Sequence, residues 1–233
     1  IITYGIENPA DVYAKNIEYV SFGETSFTLV LPSGEACVSF PLNGRHNISN
    51  ALAAAAVGHA FGMTAAEIAA QLSSAEPPPQ RGEILHFAAG FTVVNDSYNS
   101  NPDALLSMVQ TLKAGAEDAK RLIVVAGEML ELGHDAALIH RDTGNKIANT
   151  GIDILIGVRG LARELVEGAK GGGLGNAEFV TDSAEAGEKL SRWVRAGDAI
   201  LVKGSRGVRT EKVIEKLLEK FELEKSADGL GEA

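Results

Sequence analysis

The sequence predicts an α/β protein whose larger, second part is a mostly parallel β-sheet with helices on both faces. From residue 91 onward, short runs rich in Val and Ile alternate with longer segments of helical pattern, as in βαβ units. The runs are almost continuously apolar, which is typical of strands buried on both faces. Three prolines at 77–79 separate this part from the first, because consecutive prolines continue neither a helix nor a central strand.

The first part is predicted to be β-structure followed by helices. Residues 27–31 and 36–40 flank a turn sequence at 32–35 and predict a hairpin. The lone cysteine, Cys37, lies in the second of these runs and is interpreted as a small buried hydrophobic residue. Further on, Ala- and Leu-rich residues predict one helix, and a capping-box spacing predicts the start of another. These helices are expected at 46–60 and from Thr64, with Glu67 as the partner in the box, to Leu72.

The elements of the second part follow from the same reading of apolar runs and helical segments. The strands are expected at 91–95, 122–126, 152–156, 178–181 and 199–202. The helices are expected at about 102–114, 136–149, 160–169, 184–195 and 209–221. The Gly- and Glu-rich tail, residues 226–233, is expected to be disordered.

Bulk composition excludes several classes of function. The 233 residues are 45% hydrophobic and 22% charged, which is ordinary for a globular protein with a core. A net charge of −10 argues against a nucleic acid or an anionic membrane surface as partner. No apolar run approaches the ~18–20 residues of a membrane span. A single cysteine forms no internal disulfide, so nothing indicates secretion.

Polar segments follow two early strands of the second part at their carboxyl ends, where such sheets bind ligands. Residues 95–102 read Asn-Asp-Ser-Tyr-Asn-Ser-Asn-Pro and offer more hydrogen-bonding groups than a helix cap needs, although Ser100 or Asn101 could be a cap. After the next strand, Glu128 and Glu131 could bind a hydroxyl, an ammonium or a metal, or could lie in a solvated turn.

A cationic segment follows the last predicted strand. Lys203, Ser205 and Arg206, with glycines between them, suit a carboxylate or a phosphate. The alternative is that the arginine belongs to a solvated helix start. There is no Gly-x-x-x-x-Gly-Lys-[Ser/Thr] loop in the sequence, so a nucleotide phosphate site is not complete in this chain.

Two further places could contact a nucleotide. Asn47 and Asn50 are three residues apart on a predicted helix and share a face, and their amides suit the edge of an adenine ring. A helix cap by Asn47 would explain only one of them. Arg81, directly after the prolines, could reach a ligand held between the two parts or could be a surface residue.

In their order along the chain, these segments resemble the Mur ligase family of ATP-dependent amide ligases. The resemblance is to the branch that adds D-alanyl-D-alanine to UDP-N-acetylmuramoyl-tripeptide. It covers about 160 residues. The resembling segments are Gly-Arg-His-Asn-Ile-Ser-Asn-Ala-Leu-Ala-Ala-Ala at 44–55, Arg81, 95–102, 127–133 and Leu-Val-Lys-Gly-Ser-Arg-Gly at 201–207.

The resemblance implies a UDP-binding domain, a central ATPase domain and a Rossmann-like C-terminal domain. The chain would hold the end of the central domain at 1–79 and the C-terminal domain at 80–225. The phosphate loop, the Mg²⁺-binding Glu and His and a modified lysine of the family would precede Ile1. Because the chain also starts without Met, we expect a piece of a longer protein that has no ligase activity alone.

By the same resemblance, ATP would be bound by His46, Asn47, Asn50, Arg81 and Asp96. The substrates would be bound by Tyr98, Asn99, Asn101, Glu131, Lys203, Ser205 and Arg206. Asp96 and Lys203 are the catalytic candidates, and no metal ligand is expected here. The implied cofactors are ATP and Mg²⁺, and the implied partners are UDP-N-acetylmuramoyl-tripeptide and D-alanyl-D-alanine. The implied protein is cytoplasmic and monomeric, with no nucleic-acid or membrane partner.

Three alternatives stay open. One is a folylpolyglutamate synthase-like ligase, which typically has an Asp-Gly-Ala-His-Asn-Pro segment where this chain has residues 95–102. Another is a non-catalytic nucleotide- or peptide-binding module. The last is a Rossmann-like domain of unrelated function, for which the five ordered segments would be coincidence.

Overall fold

The computed structural model describes residues 1–21, 23–42, 44–76, 78–116 and 118–224. By its internal contacts the chain divides into two compact units, Ile1–Pro78 and Pro79–Ala233. The tail expected at 226–233 lies outside the described residues. In the part of the chain that is described, no helix is long and apolar enough to cross a bilayer.

The first unit is a four-stranded sheet followed by two helices. The strands are β1 (Tyr4–Gly5), β2 (Val12–Ser21), β3 (Glu24–Leu31) and β4 (Gly34–Phe40), and the helices are α1 (Arg45–Ala60) and α2 (Ala65–Ser73). β1 is parallel to β2, and β2, β3 and β4 are antiparallel neighbours. Alternate residues of β3, among them Phe27 and Leu29, are buried against apolar residues of the helices such as Ile48 and Leu52.

The hairpin and the capping box are confirmed, whereas the interpretation of Cys37 is wrong. The Thr64 hydroxyl accepts a hydrogen bond from the Glu67 amide at 3.3 Å, and the Glu67 carboxylate accepts one from the Thr64 amide at 2.8 Å. Cys37 is exposed. Side chains of a strand alternate between its faces, and on β4 the inward positions belong to Val38 and Phe40, so Cys37 points outward.

The second unit is a six-stranded sheet in the order β5-β6-β10-β7-β8-β9. β5 is antiparallel to β6, and all other neighbouring pairs are parallel. The strands are β5 (Glu83–Phe87), β6 (Phe91–Asp96), β7 (Arg121–Gly127), β8 (Ile154–Val158), β9 (Ala177–Val180) and β10 (Asp198–Lys203). The helices are α3 (Pro102–Gly115), α4 (Ala136–Ala148), α5 (Ala162–Gly171), α6 (Ser183–Trp193) and α7 (Glu211–Leu218), and a 3-10 turn spans Arg206–Val208. This confirms the predicted α/β class.

Helices cover both faces of this sheet. Val93 and Ile200 belong to a core cluster with residues of α6 and α7, while their neighbours Val94 and Leu201 are buried on the opposite face. α3, α4 and α5 pack beside one another on that opposite face. β10 lies between β6 and β7 and is reached through α6, on one face of the sheet, whereas the helices that follow β6 and β7 lie on the other face. The connections therefore change face on each side of β10, and α/β sheets bind ligands at such switch points.

Several observed elements differ from the predicted ones, among them α5, which lies two residues later than predicted, and the last helix, which ends at Leu218 and not at 221. β5 was not predicted, and it is an edge strand with only its last residue, Phe87, buried. β8 begins at Ile154, two residues later than predicted. Asp153, which precedes it, uses its carboxylate to accept a hydrogen bond from the Leu122 amide. The last helix begins at Glu211, after the 3-10 turn, and not at 209.

Candidate functional site

The three polar segments of the second unit meet at the carboxyl edge of its sheet. β6, β10 and β7 are parallel neighbours, so the residues that follow them emerge side by side. In register, Lys203 stands beside Asp96 on one side and Ala126 on the other. The structure thus brings residues 96–101, 203–206 and 127–131 together around the end of the central strand.

Lys203 and Asp96 form a buried ion pair at the centre of this edge. The Lys203 ammonium donates to Asp96 Oδ2 at 2.5 Å and to the Asn99 carbonyl at 2.8 Å. The side chains are only 5% and 15% exposed, so water screens the pair weakly. An ammonium has three N–H donors, and two are accounted for by these contacts. The third donor and Asp96 Oδ1 have no recorded partner in the described part of the chain.

Ser205 ties the three segments together. Its hydroxyl accepts a hydrogen bond from the Leu130 amide at 3.0 Å and lies 3.4 Å from the Ser100 carbonyl, to which it donates. Both serines are buried. The Ser100 hydroxyl, in contrast, is a buried side-chain group without a hydrogen-bond partner among the described residues.

His140 holds the segment that follows β7 through a hydrogen bond to its backbone. It is completely buried on α4, and its Nε2 accepts a hydrogen bond from the Met129 amide at 2.9 Å. Its Nδ1 lies 2.7 Å from the Ala136 carbonyl. An amide can only donate and a carbonyl can only accept, so the ring is the neutral tautomer protonated at Nδ1. No local pattern in the sequence links His140 to Met129, which lies eleven positions earlier in the chain.

Glycines allow the ends of β7 and β10 to approach closely. A Cβ on Gly127 would lie 2.8 Å from Thr210 Cγ2 and 3.1 Å from the Gly204 Cα. A Cβ on Gly204 would lie 2.6 Å from the same Thr210 methyl. Any side chain at either position would therefore force the two segments apart.

Arg81 and Tyr98 form a stacked pair on the exposed side of the site. The guanidinium carbon lies 4.0 Å from the centre of the tyrosine ring, and both residues are exposed. The Tyr98 amide also donates to the Gln80 carbonyl at 3.2 Å, which fixes the chain before β5 beside the end of β6. This arrangement leaves a cation and a flat ring at the rim of the site.

The remaining predicted residues of the second unit have mixed environments. Asn101 caps α3, because its Oδ1 accepts from the Ala104 amide at 2.8 Å. Asn99 Oδ1 accepts from the following amide at 2.8 Å. Arg206 is 60% exposed and pairs with Glu211 at 3.0 Å. Glu131 is exposed in the left-handed region, at φ 66°.

The two acids after β7 differ in what they contact. Glu128 Oε1 accepts a hydrogen bond from the Leu161 amide at 2.9 Å, so this carboxylate joins the ends of β7 and β8. The Glu131 side chain has no hydrogen bond or ion pair to the residues that the structure describes, so it is the more available acid. In the described ranges no three His, Cys, Asp or Glu side chains cluster closely enough to hold a metal ion.

The predicted adenine-binding residues lie in the first turns of α1, in the first unit. α1 begins at Arg45 after Gly44, whose φ is 97°. Asn47 is therefore inside the helix and is not its N-cap, and its amide donates to the Gly44 carbonyl. His46 and Asn50 are exposed and four residues apart, and Asn47 is half-buried. The three residues thus share one end of one helix.

Comparison with known families gives two matches along the chain. Residues 1–58 match the Mur ligase middle domain, and residues 80–206 match the Mur ligase, glutamate ligase domain. The two matches follow each other in the order in which the resembling segments occur.

Named relatives agree with these matches. The UDP-N-acetylmuramoyl-tripeptide–D-alanyl-D-alanine ligase of Escherichia coli K12 is 35% identical over 212 residues, which are 90% of this chain and 45% of the relative. MurF from Acinetobacter baumannii has a TM-score of 0.82 at 28% identity, covering 94% of this chain and 47% of that one. Thermotoga maritima MurF, solved with ADP, has a TM-score of 0.78 at 22% identity, covering 94% and 48%.

The chain spans about half the length of the curated relatives it matches. The match to the glutamate ligase domain alone covers more than half of the 233 residues. The chain therefore belongs to the Mur ligase family.

Proposed function

We propose that this chain supplies one part of an ATP-dependent ligase that joins D-alanyl-D-alanine to UDP-N-acetylmuramoyl-tripeptide. The observation that supports it most is the buried Lys203–Asp96 pair at the switch point of the sheet, with one ammonium donor and one carboxylate oxygen left for a ligand. Relatives that align with nine-tenths or more of this chain are named for this activity. We also propose that the protein acts in the cytoplasm as a monomer.

Lys203 is proposed to bind the carboxylate of the incoming dipeptide. Its ammonium is already oriented by Asp96 and Asn99, so little side-chain freedom is lost when a ligand binds. A charge-assisted hydrogen bond contributes roughly 1.5–3 kcal/mol. Ser205, Arg206 and the amides of the same segment would surround this carboxylate, with Tyr98, Asn99, Asn101 and Glu131 along the rim.

Asp96 is proposed to orient the amine of the dipeptide. Amide formation consumes the precursor's carboxylate, the amine and ATP, and it releases ADP, phosphate and a proton. The attacking nitrogen must lose protons during the reaction, and a carboxylate oxygen beside it can accept a hydrogen bond from it. Asp96 Oδ1 is available for this contact because only Oδ2 is bound to Lys203.

Nucleotide contacts are proposed for each unit separately. Asn47 and Asn50 offer amides, with His46 beside them, to an adenine edge. Arg81 offers a cation to the phosphates, and its stacking on Tyr98 limits its side-chain freedom. Bound ATP supplies the phosphoryl group that activates the precursor's carboxylate. The solved relative that contains ADP supports a nucleotide in this fold. We assign no residue of this chain to Mg²⁺.

Calorimetric titration of D-alanyl-D-alanine into the 233-residue chain tests the acceptor site. We expect binding, and a loss of affinity of about tenfold or more in Lys203→Met, since each ~1.4 kcal/mol corresponds to a factor of ten. The methionine keeps the length and apolar stem of the lysine while removing its donors.

Lys170→Met is the matched control, because this lysine is about half exposed on α5, where it pairs with Glu167. It should bind the dipeptide as the unsubstituted chain does. Equal affinity in the Lys203 variant, with its fold intact by circular dichroism, would show that this lysine does not hold the dipeptide.

A further inference from the structure

A cavity of about 370 Å³ opens at the amino edge of the second sheet, opposite the edge described above. It is bordered by the first residues of β7 and β8, by β9 and by the end of α6. β7 has seven residues, and at about 3.3 Å per residue the two edges are roughly 20 Å apart. The cavity is therefore separate from the Lys203 site.

The lining of this cavity is cationic in a strongly acidic protein. Arg121, Arg192 and Arg195 line it, and Glu178 is its only acidic lining residue among those described. The whole chain has a formal net charge of −10. The three guanidinium groups around this concave surface therefore create a locally positive potential, although the protein as a whole is negatively charged.

The charges nearest the wall of the cavity are paired internally. Arg121 donates to both carboxylate oxygens of Asp198, at 2.8 and 2.6 Å, and to the Trp193 carbonyl at 2.9 Å. Glu178 is bound by the Lys189 ammonium. Asp153 also faces Arg121, but one of its oxygens accepts from the Leu122 amide.

Two positive charges are left without a partner. Arg192 and Arg195 are exposed, and neither side chain has a recorded ion pair or hydrogen bond in the described ranges. The amide of Arg195 is fixed by Asp198 Oδ2 at 2.8 Å, so the segment that carries this arginine is anchored beside the cavity. The cavity thus presents about two units of uncompensated positive charge on a fixed backbone.

Trp193 adds a flat apolar surface between these charges. It is partly buried, packs against the core cluster of the second unit and lines the cavity together with Ile154. The Lys189 ammonium lies 5.1 Å from the centre of its ring. Cavities of a few hundred Å³ with apolar walls and a few polar groups are typical of small-molecule sites.

We propose that this cavity binds a phosphate ester of a flat aromatic ring. A phosphate monoester carries about two negative charges at neutral pH, which matches the two unpaired arginines. Guanidinium groups fit phosphate oxygens in a forked geometry. The aromatic part would lie against Trp193 and Ile154, and the Asn176 amide at the rim offers both a donor and an acceptor to a polar ring edge.

Trp193 makes the test direct because it is the only tryptophan in the sequence. Phenyl phosphate, titrated into the full 233-residue chain, should change Trp193 emission saturably. Inorganic phosphate has the anionic group without an aromatic ring, and benzyl alcohol has an aromatic ring without the anionic group. Each should bind at least about tenfold more weakly than phenyl phosphate. Raised salt should weaken phenyl phosphate binding because the arginines are exposed. An unsaturable response, or equal affinity for benzyl alcohol, would overturn the proposal.

Arg192→Gln/Arg195→Gln should weaken phenyl phosphate about tenfold or more while the thermal unfolding midpoint stays unchanged. Arg141→Gln/Lys146→Gln removes the same charge from α4, where both side chains are more than half exposed, and should bind normally. An equal loss of affinity for phenyl phosphate in both double variants would show that only the net charge of the protein matters, and it would overturn the proposed site. Lys203→Met should keep the Trp193 response, so failure of this site and failure of the ligase assignment are distinguishable.

Discussion

The Lys203–Asp96 pair should be strongly coupled in the stability of the second unit. The perturbations are Lys203→Met, Asp96→Asn and the two together. Each single substitution leaves one buried group without its opposite charge, because the two side chains are only 5% and 15% exposed. Lys203→Met also leaves the Asn99 carbonyl without the hydrogen bond it accepts.

The expected magnitude follows from burial. Removing one partner of a buried ion pair costs about 3–5 kcal/mol, and the partial exposure of Asp96 places Lys203→Met near the lower end, at ~3 kcal/mol. Asp96→Asn should cost about 2–3 kcal/mol, since the asparagine oxygen can still accept from the ammonium. The double variant has no unpaired charge, so we expect ~3 kcal/mol in total and a coupling of roughly 2–3 kcal/mol.

Urea unfolding followed by Trp193 emission measures these free energies in the relevant unit, because this tryptophan lies on α6. Lys170→Met, whose side chain is 48% exposed, should change the free energy of unfolding by less than about 0.5 kcal/mol. Additive single costs, or a Lys203→Met cost below ~1 kcal/mol, would refute the account of a buried pair that orients the site.

Two further predictions concern close packing and a helix cap. Gly127→Ala should lower the free energy of unfolding by about 1–3 kcal/mol, because its Cβ would lie 2.8 Å from Thr210 Cγ2. The Glu67 carboxyl has its pKa lowered by hydrogen bonds from Thr64. Its stabilising effect is present above the ordinary pKa of 4.5 and is lost as the pH falls through the lower, folded value, so Glu67→Gln should destabilise α2 at pH 7 but not at strongly acidic pH.

Each of these has its own control and measurement. Gly171→Ala places a Cβ where nothing lies within 4 Å, so in the same urea assay it should be neutral or slightly stabilising. A cost equal to that of Gly127→Ala would point to a backbone effect and not to crowding. For Glu67, thermal unfolding followed by circular dichroism between pH 7 and acidic pH is the measurement, and a pH-independent difference from the unsubstituted chain would contradict the prediction.

The local sequence pattern was sufficient to predict most elements of the fold, because apolar runs and helix-capping residues can be recognised from residues that are close together in the sequence. β5 was missed because Glu83 and His86 interrupt its apolar character, and it forms an edge strand that needs no continuous burial. The burial of Cys37 was predicted wrongly because a short alternating run fixes which residues share a face but not which face is inside; Val38 and Phe40 decide that.

The site was predicted as segments but not as contacts. The polar residues after three strands indicated where a ligand would bind, and this prediction needed only residues that are neighbours in the sequence. That Lys203 meets Asp96, 107 positions earlier, depends on β10 entering between β6 and β7, which no local pattern encodes. The buried role of His140 was hidden for the same reason, because its partner at Met129 is set by how α4 folds back under the strand end.

The late position of β10 in the chain has a consequence for how the protein is made. Its neighbours β6 and β7 are complete by Gly127, whereas β10 begins only at Asp198. During synthesis, more than seventy residues must emerge from the ribosome after β7 before the central strand can fill the gap between its neighbours. Until then β6 and β7 expose facing edges with unpaired amides and carbonyls, which are open to pairing with other chains. A translational stall between α5 and β10 should therefore be more hazardous for aggregation than one after α7.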